Sequence, residues 1–303
     1  MKNLSRLMLG TVQFGLPYGV ANRNGMPSAN EVRNIVAAAI SGGVNCFDTA
    51  AAYGTSESIL GKVLHALKAT DKVVVVTKVR PLTSTELADP HLATAAITQS
   101  IETSRRNLRI ECLPLVLFHR ESDATYLEEL LALRDRGWLR YAGVSCDNTP
   151  GPAARYAAQG QASALQIPCN LLDPRHSRAG SIAAAAANNV ALFVRSVYLQ
   201  GVLAMPVDQL PNHLHGLIPY ITKLANLAAE AGMSLRELAV RVMLSHHGVT
   251  SLLVGVETVD QITENLTIFN HGSLPADLLA AVDSAIPELP AKLITPSLWT
   301  TTA

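Results

Sequence analysis

Short runs of aliphatic and β-branched residues alternate along the chain with longer segments whose apolar residues recur at helical spacing. The short runs predict eight buried strands, at residues 7–9, 45–48, 73–77, 113–118, 141–145, 164–167, 191–195 and 251–254. The longer segments predict helices at residues 28–41, 57–67, 92–108, 123–136, 152–158, 180–188, 214–231 and 259–269. Strands that alternate with helices are typical of a parallel sheet covered on both faces.

This alternation, repeated about eight times in 303 residues, fits a closed α/β barrel, the (β/α)8 TIM barrel, better than an open doubly wound sheet. No Gly-x-Gly-x-x-Gly motif follows the first predicted strand, so a Rossmann nucleotide site has no support. Neither a low-complexity linker nor a shift in composition marks a domain boundary. We therefore predict a single domain over residues 1–303, with an irregular, proline-rich tail over residues 287–303.

Composition narrows the class of protein. Hydrophobic residues make up 49% of the chain and charged residues 16%, which is enough apolar material for a large core. The 24 basic residues equal the 24 acidic ones, and the absence of a basic excess argues against a nucleic-acid partner. No apolar run is long enough for a signal peptide or a membrane span, so we expect a cytoplasmic protein that is a monomer or a small homo-oligomer.

Cysteine and histidine spacing predicts neither disulfides nor a metal site. The four cysteines lie far apart and read as reduced thiols. His246 and His247 would point away from each other on a helix, and no carboxylate stands at ligand spacing from them.

A cluster of ionisable residues is expected at the C-terminal ends of the strands, where barrels of this kind carry their chemistry. Asp48, Lys78 and His119 stand at predicted strand ends, and Tyr53 lies in the loop after the second strand. An ammonium beside a phenol stabilises the phenolate and so makes the phenol a stronger acid, while a carboxylate holds the ammonium in place. A histidine beside them can donate a hydrogen bond to a carbonyl oxygen. The four residues therefore predict acid catalysis at a carbonyl group without a metal ion.

Motifs around these residues resemble the aldo-keto reductase family. The resemblance spans nearly the whole chain in the family's order. Its segments are Leu9-Gly10-Thr11 with Phe14-Gly15, residues 47–54 with Glu57 and Leu60-Gly61, Val76-Thr77-Lys78, Leu117-Phe118-His119, Gly143-Val144-Ser145, and residues 255–258 with Gln261 and Glu264-Asn265-Leu266.

The resemblance implies a (β/α)8 barrel that binds extended NADP(H) or NAD(H) and reduces an aldehyde or ketone. It implies Tyr53 as general acid, Lys78 and Asp48 as the pair that tunes it, and His119 as the donor that orients the carbonyl. Arg195 lies where many members place an aromatic ring against the nicotinamide, and a planar guanidinium can stack there too. The other implied cofactor contacts are Gly10, Thr11, Ser145, Gln166, Ser196, Leu199, Gly201, Gly255, Glu257, Gln261, Glu264 and Asn265.

The adenosine loop departs from the pattern of members that prefer NADP(H). Those members commonly place basic residues where this chain has Glu257 and Gln261. A 2′-phosphate is repelled by a carboxylate, whereas a ribose 2′-hydroxyl can donate a hydrogen bond to it. We expect a weaker preference for NADP(H) than the family norm, up to outright use of NAD(H). Other basic residues remain candidates for the phosphate, namely Lys223, Arg236 and Arg241.

Polar residues in the predicted loops indicate the class of substrate. Arg120, Arg175, Arg178 and Tyr198 lie in predicted loops and favour a hydroxylated or anionic carbonyl compound such as a sugar. An alternative function is a dinucleotide-binding redox sensor that regulates a partner, which would have no need of Tyr53. A barrel aldolase that uses Lys78 in a Schiff base would need a depressed lysine pKa, which Asp48 opposes.

Overall fold

Eight parallel strands pair in chain order and the eighth returns to the first, so the sheet closes into a barrel. The computed structural model describes residues 3–23 and 25–299. The strands are β1 Leu7–Gly10, β2 Cys46–Asp48, β3 Val74–Val79, β4 Leu113–Phe118, β5 Leu139–Ser145, β6 Ala164–Pro168, β7 Ala191–Arg195 and β8 Ser251–Gly255. The predicted (β/α)8 barrel and each of its predicted strands are confirmed.

Helices follow the strands around the outside of the barrel. They are α1 Ala29–Ser41, α2 Ser56–Ala66, α3 Ser84–Ala88, α4 Pro90–Leu108, α5 Leu127–Asp135, α6 Gly151–Gln159, α7 Arg175–Arg178, α8 Ser181–Ala187, α9 Ile218–Glu230, α10 Leu235–Ser245, α11 Val259–Asn270, α12 Ala276–Ala285 and α13 Ala291–Ile294. Short 3-10 helices lie between them, including Val12–Phe14, Glu121–Tyr126, Leu199–Ala204 and Asn212–Leu217.

Local side-chain chemistry sets where several helices begin. The Ser28 hydroxyl accepts the Glu31 N–H while the Glu31 carboxylate accepts the Ser28 N–H, a reciprocal cap at the start of α1. The predicted helix at residues 214–231 begins later, at Ile218, because Pro219 lacks an N–H and suits the first turn of a helix. The sequence pattern did not predict α10 or α12.

The described part of the tail is not wholly irregular. Within residues 287–299, Ala291–Ile294 forms one helical turn and Pro296–Leu298 a 3-10 turn. Residues 300–303 of the predicted tail lie outside the described residues. No helix in residues 3–23 and 25–299 is long and apolar enough to cross a membrane.

The barrel interior and the site share one alternation along the strands. Successive strand side chains point to opposite faces, so residues two apart face the same way. The interior is filled by Met8, Cys46, Val76, Leu115, Leu117, Ala164 and Phe193. Two residues further along those strands stand Gly10, Asp48, Lys78, His119, Gln166 and Arg195. The apolar floor of the barrel therefore leads directly to a layer of polar and charged side chains at the C-terminal mouth.

Candidate active site

A cavity of about 560 Å³ opens at this mouth. One part of it is lined by side chains from the strand ends and the loop after β2; this tetrad part comprises Asp48, Tyr53 and His119, with Lys78 directly behind them. A second part, the β8-loop part, is formed by Gln13, Gly255, Glu257, Gln261 and Asn265. The cavity therefore joins the predicted catalytic residues to the loop in which the cofactor's adenosine was expected.

In the tetrad part, Lys78 lies at the centre and contacts three oxygen atoms. Its Nζ is 2.7 Å from Asp48 Oδ2, 2.9 Å from the Thr49 carbonyl oxygen and 3.4 Å from the Tyr53 hydroxyl. Both members of the Lys78–Asp48 ion pair are almost wholly buried. Gln166 Nε2 donates to the other carboxylate oxygen of Asp48 at 2.7 Å, so the carboxylate is held from both sides.

Charge states in the tetrad part follow from burial and pairing. Burial alone would lower the pKa of Lys78, but Asp48 and Tyr53 together raise it, so the ammonium stays protonated. This opposes a Schiff base at Lys78, which needs a neutral amine. Burial, helped by the charges of Lys78 and Arg195, lowers the pKa of His119 to about 3, so its imidazole is neutral near pH 7.

The His119 ring meets the Tyr53 ring edge-on, with centroids 5.5 Å apart. Its Nδ1 is buried and has no hydrogen-bond partner among the described residues. A neutral imidazole carries one N–H, so His119 can donate to a carbonyl oxygen placed beside the Tyr53 hydroxyl.

Ser145, at the end of β5, and Gln166, in the middle of β6, line the cavity beside the tetrad part. The Gln166 amide nitrogen is engaged by Asp48, which leaves its oxygen as an acceptor. The Ser145 side chain can both donate and accept. Together they offer what a carboxamide group would bind.

The segment after β7 turns sharply beneath the cavity. Ser196, Leu199 and Gln200 have left-handed backbone, with φ of 63°, 47° and 55°, and Gly201 follows at 97°. Ser196 and Gly201 line the cavity. Leu199 does not; it is buried and its N–H donates to the Ser196 carbonyl, so it belongs to the turn behind the cavity.

Two other predicted cofactor residues also lie away from the cavity. The Thr11 hydroxyl donates to the Asp48 carbonyl at 2.9 Å and bonds to the Ser56 hydroxyl, which ties β1 to β2. Glu264 is half exposed on α11 and forms an ion pair with Arg236. Gly10 does line the cavity.

In the β8-loop part, a closed set of hydrogen bonds holds Glu257. The Gln261 side chain donates to Glu257 Oε2 at 3.0 Å and accepts the Glu257 N–H at 2.7 Å. Gln13 Nε2 donates to Glu257 Oε1 at 3.4 Å. Gln261 therefore positions Glu257, with its own amide already engaged.

Gln13 is a cavity residue that the sequence did not reveal. Its Oε1 is buried and has no partner in the described part of the chain. It lies against Gly255, where a Cβ atom would come within 2.6 Å of Gln13 Oε1. Gly255 thus makes room for an acceptor that still needs a donor.

Arg236 and Tyr198 complete this side of the cavity. The Arg236 guanidinium lies 5.5 Å from the centre of the Tyr198 ring, and the Tyr198 hydroxyl donates to Asn265 Oδ1 at 2.6 Å. Arg236, a candidate for the phosphate in the sequence, lies in α10, a helix that the sequence pattern did not predict. The Ser234-x-x-Glu237 cap before an apolar run was the sequence signal for that helix.

Two arginines expected near the substrate lie elsewhere. Arg175 forms an ion pair with Asp173 and donates to the Thr295 hydroxyl at 2.9 Å. Arg178 donates to the carbonyl oxygens of Asp283 and Ile286. Both fasten the C-terminal segment to the barrel and do not line the cavity.

Barrel and mouth together define the class: a (β/α)8 barrel whose tyrosine, lysine, aspartate and histidine meet at the strand ends. The model of the aldo/keto reductase family matches residues 6–287. The chain therefore belongs to the aldo/keto reductase family.

Individual relatives are distant. The chain is 34% identical over 149 residues to the uncharacterized oxidoreductase Rv2298 of Mycobacterium tuberculosis, a match that covers 47% of this chain and 42% of that protein. It thus spans less than half the length of that relative. It is 24% identical over 318 residues to the L-glyceraldehyde 3-phosphate reductase of Escherichia coli O157:H7, covering 93% of this chain and 90% of that protein.

A solved structure shares the fold. The aldo-keto reductase AKR11C1 from Bacillus halodurans, in its holo form, matches with a TM-score of 0.77 and 20% identity, covering 94% of this chain and 93% of that one. At this identity the likeness concerns the fold alone.

Proposed function

We propose that this protein is a nicotinamide-dependent carbonyl reductase with Tyr53 as its general acid. The observation that carries the proposal is the buried Lys78, held between Asp48 at 2.7 Å and the Tyr53 hydroxyl at 3.4 Å. A lysine that only stabilised the barrel would not need a tyrosine hydroxyl aimed from an open cavity.

The residues present fit a nicotinamide dinucleotide. Ser145 and the Gln166 oxygen can bind a carboxamide beside the tetrad part. In the β8-loop part, the unpartnered Gln13 Oε1 and the Glu257 carboxylate both accept hydrogen bonds, as ribose hydroxyls require. When bound in its reduced form, the dinucleotide supplies a hydride to the carbonyl carbon.

The chain's own residues supply the proton and the orientation. The Tyr53 hydroxyl gives its proton to the carbonyl oxygen, and the Lys78 ammonium stabilises the phenolate that remains. Asp48 keeps that ammonium in place, and neutral His119 donates a hydrogen bond to the same oxygen. The product is an alcohol.

NAD(H) is the dinucleotide that suits the β8-loop part. A 2′-hydroxyl can donate to Glu257 or to Gln13 Oε1, whereas a 2′-phosphate near pH 7 brings charge that the carboxylate repels. Arg236 is the nearby cation, and its charge is already paired with Glu264.

The substrate we propose is a small hydroxylated carbonyl compound, such as a sugar aldehyde or ketone. The Tyr18 hydroxyl, which accepts from Gln200 Nε2 at 3.2 Å, and the Gln200 side chain line the cavity with Arg195. One relative is named for L-glyceraldehyde 3-phosphate, a hydroxylated aldehyde. A cytoplasmic location and a monomer or small homo-oligomer stay predictions.

The test is a fluorescence titration with NADH and NADPH, followed by a screen of sugar and simple aldehydes, on wild type and Tyr53→Phe. We expect the dissociation constant for NADH to change less than about twofold, while turnover falls about a thousandfold. NADH binding without turnover of any carbonyl would favour the redox sensor instead. No binding of either dinucleotide would overturn the proposal.

A further inference from the structure

Beside the tetrad part, Arg195 is a cation that lines the cavity without an ion-pair partner among the described residues. Asp48 and Lys78 neutralise each other at 2.7 Å, and His119 is neutral. Arg195, at the end of β7, lines the same cavity and forms no ion pair with any carboxylate among the described residues. A guanidinium keeps its charge at every pH that a folded protein tolerates.

Arg195 is fixed in place by the end of β5. Its Nη2 donates to the Cys146 carbonyl oxygen at 3.0 Å, which leaves the other N–H groups without partners in the described chain. Cys146 directly follows Ser145, one of the two residues proposed to bind the carboxamide. The guanidinium therefore reaches from β7 across to the strand that carries this residue.

The two redox forms of nicotinamide differ in charge. The oxidised ring is a pyridinium with one positive charge, and the reduced ring is neutral. The rest of the dinucleotide is the same in both forms. A fixed cation close to the ring therefore discriminates between them, and it does so more strongly in a half-buried cavity than in water.

We propose that Arg195 makes this site bind reduced nicotinamide dinucleotide more tightly than the oxidised form. The proposal rests on the proposed dinucleotide function of the cavity. Arg195 thereby selects between two redox states of a single cofactor. Tight binding of the reduced form keeps the site loaded for reduction and lets the oxidised form leave.

The other cations of the cavity do not compete for this role. Lys78 is balanced by Asp48, and Arg236 is balanced by Glu264 in the β8-loop part. Arg23 lines the cavity from an exposed position in the loop after β1. Arg195 is the cation that combines an unbalanced charge with a fixed position beside Ser145.

The test compares dissociation constants of NADH, NAD+ and ADP-ribose for wild type, Arg195→Gln and Arg195→Lys, by fluorescence and calorimetry. For wild type we expect NADH to bind at least about tenfold more tightly than NAD+. For a two-electron couple, this difference raises the reduction potential of the bound cofactor by about 30 mV relative to the free cofactor. Arg195→Gln brings the two constants to within about twofold. Arg195→Lys keeps the preference, because it keeps the charge.

ADP-ribose and Arg236→Gln serve as controls. ADP-ribose lacks the nicotinamide, so Arg195→Gln leaves its dissociation constant unchanged. Arg236→Gln removes a cation from the other side of the cavity and affects NADH and NAD+ alike.

Three results would overturn the proposal while leaving the proposed function intact. They are equal wild-type affinities for NADH and NAD+, a preference that survives in Arg195→Gln, and a loss of ADP-ribose binding in that variant. Wild-type protein that binds neither dinucleotide would remove the proposed function, and this inference with it. Thermal unfolding of each variant checks that it is folded.

Discussion

The two parts of the cavity are built in different ways. In the tetrad part, Asp48 and Lys78 project from adjacent strands, and their opposite charges lie 2.7 Å apart. In the β8-loop part, the carboxylate of Glu257 is held by neutral amides of Gln13 and Gln261. The charge is neutralised by an opposite charge in the first case, whereas in the second it is stabilised by hydrogen bonds and not neutralised.

This difference has consequences for each part. A buried ion pair is sensitive to the loss of one partner, because the other charge is then stranded. A carboxylate held by amides keeps its full negative charge and presents it to whatever enters the cavity. Substitutions in the tetrad part should therefore lower the free energy of unfolding. Substitutions in the β8-loop part should instead change which ligand the cavity prefers.

The largest expected effect is on the ion pair. Lys78→Met leaves the buried Asp48 carboxylate without its cation, so the free energy of unfolding should fall by about 3 kcal/mol. Urea denaturation near pH 7.5 measures it. The double variant Asp48→Asn with Lys78→Met should recover most of this stability and remain inactive. A single variant as stable as wild type would break the contrast between the two parts.

Reversing the charge in the β8-loop part should change specificity with little effect on stability. Glu257→Lys replaces repulsion of a 2′-phosphate by attraction, so the ratio of NADPH to NADH affinity should rise about a hundredfold. Asp260→Lys makes the same charge change at an exposed position of α11 that does not line the cavity, and is the matched control. An equal rise of the NADPH-to-NADH affinity ratio in both variants would mean that the effect comes from long-range electrostatics and not from contact with Glu257.

A smaller effect on NADH affinity is expected from the Gln13 side-chain amide. Gln13→Leu removes the unpartnered acceptor beside Gly255, so the dissociation constant for NADH should rise about tenfold. Affinity for NADPH should change less, since its phosphate cannot donate a hydrogen bond near pH 7. Parallel fluorescence titrations measure both. An unchanged NADH affinity would remove Gln13 from the site.

The smallest effect concerns His119 and pH. In the unfolded chain a histidine gains a proton below about pH 6.5, whereas folded His119 stays neutral down to about 3. The unfolded state thus binds more protons in this window, and stability falls as the pH falls. Between pH 7.5 and 5.5, His119→Asn should lose about 1 kcal/mol less stability than wild type in urea denaturation.

His65→Asn, at an exposed position of α2, is the control and should follow wild type. His176 and His246, whose pKa values burial also lowers, are present in every protein compared. Identical acid sensitivity of His119→Asn and wild type would show that His119 already gains its proton in the folded state.

The residues of the tetrad part could be predicted from the sequence because strand geometry is regular. Once apolar runs mark the strands, the residues at their C-terminal ends must meet at one mouth, as Asp48, Lys78 and His119 do. No comparable rule orients side chains after a strand has ended. For this reason the sequence did not predict the positions of Thr11 and Leu199. Both were expected to contact the cofactor, but Thr11 donates to the Asp48 carbonyl and Leu199 lies in a left-handed turn behind the cavity.

The β8-loop part depends on contacts between segments remote in sequence. Gln13 donates a hydrogen bond to Glu257, 244 residues away, and Arg236 pairs with Glu264 from α10, a helix that the sequence pattern did not predict. Local motifs indicated Gly255, Glu257, Gln261 and Asn265, but not Gln13. Which of Glu257 and Gln261 faces a ligand and which supports the other became clear from their hydrogen bonds.

The pairing of β1 with β8, here called the seam, closes the barrel and determines when in folding the cavity can be completed. Leu7–Gly10 pairs with Ser251–Gly255, and Arg6 donates to the carbonyl of Val249, 243 residues away. Gln13 follows β1 and Glu257 follows β8, so the β8-loop part lies on this seam.

A growing chain therefore has no complete β8-loop part until β8 has been synthesised and has closed the ring. Until then β1 and β7 present open edges to other chains. The dinucleotide we propose would contact both sides of this seam, and binding only to the closed ring would stabilise it over every open form. The cofactor we propose would thus stabilise the closed barrel in addition to supplying the hydride.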